Sequence, residues 1–300
     1  MSLAEFFSKE DIRLNRKKII LFVTIAISLI GLSACDVADA DLTIEVVNGF
    51  ILVEGGSFVS TVSNLYGTDV VVADFYIGQH LVTQREWVEV MGSNPSKFQD
   101  DDRPVETISW YDAILFANEK SRLAGLEPVY SVDQDQDDPN NLSLDDDVRW
   151  VVTFNEHADG YRLPTEIEWE YAASGGQRSR SYEFSGSNEL NNVGWYFRNS
   201  GDEYLDGFWH WPTLEANNGQ TRPVGQKLPN ELGIYDMSGN VREWLWNWHG
   251  ESLQADSGVG RAIRGGGWVG DGEASRIHFR DSMEAHYQFE DLGLRLARNR

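Results

Sequence analysis

Helical periodicity stops at Gly175-Gly176. Beyond it the chain reads as short apolar runs separated by Gly- and Asn-rich breaks. Such a chain reads as a rigid, loop-rich fold more than as a helical bundle. The aromatic content, 11 Trp, 11 Tyr and 14 Phe against 4 Met, supplies large rigid side chains on which irregular backbone can pack. The expected class is α+β, with short helices and irregular loops around small antiparallel sheets.

Three helices are expected before that break. Thr83 with Glu86 forms a capping box opening a helix that ends near Gly92. Ser109 opens a longer one, with Trp110, Ala113, Ile114 and Ala117 on one face and a stop at Gly125. Thr165 with Glu168 opens the third. Strands are expected over 50–58, 70–77, 194–196, 241–248, 262–269 and 293–297. The alternating Trp244, Trp246 and Trp248 fit one core-facing side of a strand. Residues 133–147 carry Asp133, Asp135, Asp137 and Asp138. They fail the EF-hand pattern, because Asp138 and Leu144 stand where Gly and Glu are required, and read as a solvated acidic loop.

Lys and Arg number 25 and Asp and Glu 48, a net charge of −23. A field that acidic repels phosphate backbones, so no nucleic-acid partner is expected. The one cysteine, Cys35, excludes an intrachain disulfide and a cysteine zinc site.

Residues 1–34 read as a lipoprotein signal peptide. A basic stretch (Arg13, Arg16, Lys17, Lys18) precedes an uncharged run from Ile19 to Leu32, too short to span a bilayer. The run ends in Leu32-Ser33-Ala34-Cys35, which resembles a bacterial lipobox. Cys35 would then carry the lipid, residues 35–49 would be an acidic tether, and residues 50–300 the folded domain. The expected location is the bacterial cell envelope, lipid-anchored, at the surface of the outer membrane.

Seven motifs occur in order across residues 50–298. They are Val53-Glu-Gly-Gly-Ser-Phe58, Val82-Thr-Gln-Arg-Glu-Trp87, Arg103-Pro-Val-Glu-Thr-Ile-Ser-Trp110, Gly160 to Ala173, Asn230 to Trp244, Arg264-Gly-Gly-Gly-Trp268 and Leu292-Gly-Leu-Arg-Leu-Ala297. Together they resemble the formylglycine-generating enzyme (sulfatase-modifying factor) domain, a variant of the C-type lectin fold. The copper-dependent oxidases of that family need two cysteines after the last Gly-rich strand, and copper(I) needs soft thiolates. The matching positions are Gly270 and Ser275, and the six histidines are scattered. No catalytic residue and no required cofactor are therefore expected. The resemblance also implies a structural calcium at Asp236, Gly239, Val241 and Glu243, through carboxylate and carbonyl oxygens. The alternative there is that Asp236 and Glu243 bond only to loop amides.

The segment 264–297 further resembles the variable region of diversity-generating retroelement proteins, most of all the treponemal variable lipoproteins. In that system adenines are mutagenised, chiefly at AAY asparagine codons. These can become Gly, Asp, Ser, His, Tyr, Val, Phe or Ile, but not Lys, Glu, Gln, Met or Trp. Val269, Gly270, Asp271, Gly272, Phe279, Asp281, Ser282, His286, Tyr287, Phe289 and Asp291 fall within the reachable set, and no asparagine remains between Trp268 and Ala297. The resemblance implies a non-catalytic binder whose diversified, exposed loops take a protein or glycan ligand. Two other readings stand beside it: a sulfatase-modifying oxidoreductase, and a structural docking lipoprotein.

Overall fold

The computed structural model describes residues 44–60 and 69–300. The expected signal peptide, Cys35 and the first part of the tether lie outside them. The strands are β1 (Val46–Val47), β2 (Phe50–Val53), β3 (Gly56–Val59), β4 (Asp69–Val72), β5 (Phe75–Gly78), β6 (Tyr130–Asp137), β7 (Trp150–Phe154), β8 (Tyr161–Arg162), β9 (Arg242–Trp248), β10 (Arg261–Arg264), β11 (Asp281–Met283), β12 (Leu292–Gly293) and β13 (Ala297–Asn299). The α-helices are α1 (Gln84–Met91), α2 (Trp110–Leu123), α3 (Glu166–Ala173), α4 (Leu190–Val193) and α5 (Trp211–Ala216). Among the described residues, no helix is long and apolar enough to cross a membrane.

Two small sheets organise the domain. One runs β1-β2-β5-β13-β8 and the other β11-β10-β9-β12, with hairpins β3-β4 and β6-β7 beside them. All pairings are antiparallel except β12 with β9. The fold therefore begins before residue 50. Val46 pairs with Ile51 and Val47 with Phe50, so the last residues of the expected tether form the sheet edge.

The helix caps follow from the sequence. Ser109 and Thr165 each accept from the N3 amide while Asp112 and Glu168 reach back, completing both boxes. Thr83 Oγ1 accepts from the Glu86 amide, but the Glu86 carboxylate turns to Lys120 and leaves that box half made. Gly92 closes α1 in the left-handed conformation that lacks a steric penalty only for glycine.

Trp244 and Trp248 are buried, and Leu245, on the opposite face of β9, is fully buried too. The strand lies between cores rather than covering one. Trp244 Nε1 donates to the Ile108 carbonyl and Trp110 Nε1 to the Leu245 carbonyl, stitching α2 to the sheet. Arg261 is sandwiched 3.8 Å from the Trp110 ring and 3.6 Å from Trp248, so its charge is met by aromatic faces.

The expected strands 70–77 and 293–297 each divide between two sheets, 262–269 is strand only to Arg264, and two further expectations need correction. Residues 133–147 are solvated only in part: 130–137 form β6, paired with β7, with Asp135 and Asp137 still exposed, while Asp138, Asn141 and Asp146 are buried at its tip. Asp146 accepts from the Asn141 side chain and the Val148 amide, so local hydrogen bonds offset its burial. Residues 194–196 form no strand; Gly194 instead packs against the Ser238 carbonyl, which leaves no room for a side chain.

Candidate functional site

The segment between β10 and β12 is held at both ends. All four residues of β10 are buried, as are Leu292, Leu294 and Leu296. Gly265 and Gly266 turn the chain out of β10 with positive φ. Trp268 is 1 % exposed; its Nε1 donates to the Glu290 carbonyl and its own carbonyl accepts from Ser200 Oγ.

Buried charge locks this frame. Arg264 donates to Glu166 and Glu170, each at 2.7 Å, with all three side chains essentially inaccessible, and Arg280 adds a second guanidinium on Glu166. Burial pushes the Glu166 pKa up, but Arg280 and Arg264 more than offset it and hold the carboxyl below its usual range.

The proposed variable residues lie mostly outside the frame. Val269 and Gly270 are half-buried, Asp271 is exposed and Gly272 half-buried. After one 3₁₀ turn over Glu273–Ser275, Phe279 is 38 % exposed. Asp281 and Ser282 are half-buried in edge strand β11. His286, Tyr287 and Phe289 form a ring ladder, with centroids 4.4 and 5.7 Å apart, and the last two are 37 % and 38 % exposed. The His286 Nδ1 lies 3.0 Å from buried Asp146 without the alignment of a hydrogen bond, so the β6-β7 tip backs the ladder.

Asp291 corrects the expectation of exposure. It is buried, pairs with Arg242 at 2.6 Å, and its carbonyl accepts the Arg242 amide. Its side chain fills the space a Cβ on Gly267 would need. It adjoins β12 and shares the burial of that strand, whatever its codon allows. Arg242, which the sequence reading passed over, also lies 3.8 Å from Asp281 and 6.0 Å from the Phe289 ring centroid. It ties three proposed contact positions together.

Gly270 and Ser275 sit at the base of the segment. Gly270 accepts the Phe197 amide, and the Ser275 hydroxyl is fully buried. Neither side chain offers the thiolate that the oxidase chemistry requires.

At the four calcium positions Glu243 is already paired with a guanidinium, whereas Asp236 Oδ1 is buried without a hydrogen-bond partner. Arg295 holds both Glu243 oxygens at 3.1–3.3 Å and also donates to the Tyr235 and Gly78 carbonyls, so the guanidinium already supplies the positive charge. Asp236 Oδ2 accepts the Gly225 amide, while burial pushes the Asp236 pKa up to about 6. Gly239 donates its amide to Gly265, and Val241 is fully buried beside it. Calcium takes six to eight oxygen ligands. Among the described residues no three or more His, Cys, Asp or Glu side chains converge on a metal position, so a calcium here would depend on the Gly239 and Val241 carbonyls. Millimolar calcium or a chelator should therefore leave the thermal midpoint unmoved in calorimetry. A calcium-dependent rise of several degrees would overturn this.

An aromatic run, Phe208-Trp209-His210-Trp211, was legible in the sequence but carried no expectation. Phe208 is 98 % exposed, and Trp209 Nε1 donates to the Val269 carbonyl at 2.6 Å. This loop adjoins the 269–291 segment.

Comparison with known proteins matches this architecture. The chain is 45% identical over 284 residues to "Chaperone protein LppX" of Paenibacillus barcinonensis, covering 95% of this chain and 100% of that one. It is 36% identical over 201 residues to the formylglycine-generating enzyme of Streptomyces coelicolor, covering 61% of this chain and 50% of the enzyme. Among solved structures, "Treponema denticola variable protein 1" superposes with a TM-score of 0.68 and 32% identity, over 86% of this chain and 99% of that one. The profile of the "Sulfatase-modifying factor enzyme 1-like domain" matches residues 39–300, and the chain belongs to that family.

Proposed function

We propose that the chain is a non-catalytic binding protein of the bacterial envelope, anchored through Cys35, which holds a polypeptide on the loops of 269–291. The observation that carries this reading is the ring ladder His286–Tyr287–Phe289, with Tyr287 and Phe289 more than a third exposed, on a segment framed by the buried strands β10 and β12. Exposed aromatics on a rigid base offer large contact area at low entropic cost. The full-length likeness to a protein called a chaperone favours a polypeptide over a glycan. The likeness to a variable protein supports contact positions that differ between copies of the gene.

The test uses the full chain in a non-ionic detergent and, as probe, reduced carboxymethylated α-lactalbumin, which is permanently unfolded. Saturable binding is the expected outcome. No retention of this probe, with saturable binding of a neutral glycan such as cellohexaose, would replace polypeptide with sugar. For the anchor, Cys35→Ser should move the protein from the membrane fraction to the soluble envelope fraction. Persistence in washed membranes would remove that part of the reading.

A further inference from the structure

We propose that α5 and the loop before it form a fixed docking site for a basic side chain of the polypeptide, beside the 269–291 face. The inference rests on the polypeptide reading above. A cleft of about 390 Å³ opens between α5, Phe98 and Trp268. Its apolar floor is three rings: Phe98 meets Trp268 edge-on at 5.2 Å, and Trp211 lies 6.2 Å from Trp268. Trp211 and Glu215 stand four residues apart on α5, so they project side by side. A cation resting on the Trp211 indole would reach the Glu215 carboxylate, which makes no hydrogen bond or ion pair among the described residues. Asp202 adds a second carboxylate to the cleft lining, held by the Asn218 amide at 2.6 Å.

The electrostatics select a cation. Lys97, the basic group lining the cleft, is already paired with Glu290 at 2.9 Å. At the back, Gln220 Oε1 accepts from Arg103, and Arg103 lies 4.0 Å from Asp100. The free charge is therefore negative. The same bonds disfavour a sugar, because the Gln220 carbonyl and the Asn218 amide that would read hydroxyls are engaged with Arg103 and Asp202. A lipid surface is disfavoured as well. Asp202, Glu203 and Asp206 adjoin the exposed Phe208 and Trp209, and an anionic leaflet would repel them. The Trp209–Val269 hydrogen bond joins this loop to the 269–291 segment, so one extended peptide can cross both.

The probe is an acetylated, amidated (Gly-Arg)₃ peptide, titrated calorimetrically into the full chain in a non-ionic detergent. Trp211→Ala and Glu215→Gln should each weaken binding about three- to tenfold, the range of a partly desolvated cation–π contact. Glu251→Gln removes the same charge at an exposed position elsewhere and should change affinity less than twofold. Equal losses in Glu215→Gln and Glu251→Gln would reduce the effect to general acidity and overturn the site. So would Trp211-dependent binding of cellohexaose or of phosphatidylglycerol vesicles. If unfolded α-lactalbumin binds and the arginine peptide does not, this inference fails alone. If α-lactalbumin does not bind, the polypeptide reading fails first.

Discussion

Arg264→Met should cost about 3–5 kcal/mol of folding stability, because it leaves two buried carboxylates without the guanidinium between them. For a domain of this size that lowers the thermal midpoint by on the order of 10 °C. Arg280 remains on Glu166, but nothing at Arg280 replaces the 2.7 Å contact with Glu170. The pH dependence should change with it. Glu166 is held below its usual range, so its contribution is present above its unfolded pKa and is lost as the pH falls through the folded value. Without Arg264 only Arg280 opposes the effect of burial, so that acid-labile contribution shrinks. Urea unfolding followed by tryptophan fluorescence reads both effects. Adding Glu170→Leu to Arg264→Met should recover part of the loss, since it removes the carboxylate left without Arg264 while Glu166 keeps Arg280. A single variant within about 1 kcal/mol of the parent would mean that the network is solvated.

Binding should behave in the opposite way. Replacing Phe279, Tyr287 and Phe289 together with Ala should weaken retention of unfolded α-lactalbumin by more than about 100-fold, as expected when interface anchors worth about 2 kcal/mol or more are removed. The rings are partly covered, so the triple variant should lose some stability, but less than the about 2–5 kcal/mol expected for Leu294→Ala in the frame. Leu294→Ala should keep its affinity at temperatures where it is folded. If the triple variant binds normally, the ladder is ordinary surface. If it unfolds, the ladder is core.

Local chemistry is why much of this architecture could be read beforehand. Ser109 with Asp112, Thr165 with Glu168 and Gly92 each specify a helix end through hydrogen bonds within a few residues. What could not be read depends on partners far along the chain. Glu86 looks like a box residue until Lys120 claims it. The acidic run of 133–147 looks like one loop until β7 pairs with β6, and residue type does not mark Asp138 and Asp146 for burial. The codon argument sorts residues by type, and type does not record that Asp291 is locked to Arg242, 49 positions away. The cleft beside Trp268 was invisible for the same reason, because Phe98, Trp211 and Trp268 meet only in the folded chain.

The order of strands in the larger sheet bears on how the protein is made. β13 lies between β5 and β8 and follows every other strand of that sheet in the chain. A ribosome emits it last, and until it arrives β8 has no neighbour and β5 keeps an open edge. The nascent chain therefore cannot close the sheet early. The same delay leaves the β5 edge open to wrong pairing. Any truncation upstream of Ala297 should hold the molecule in that state permanently.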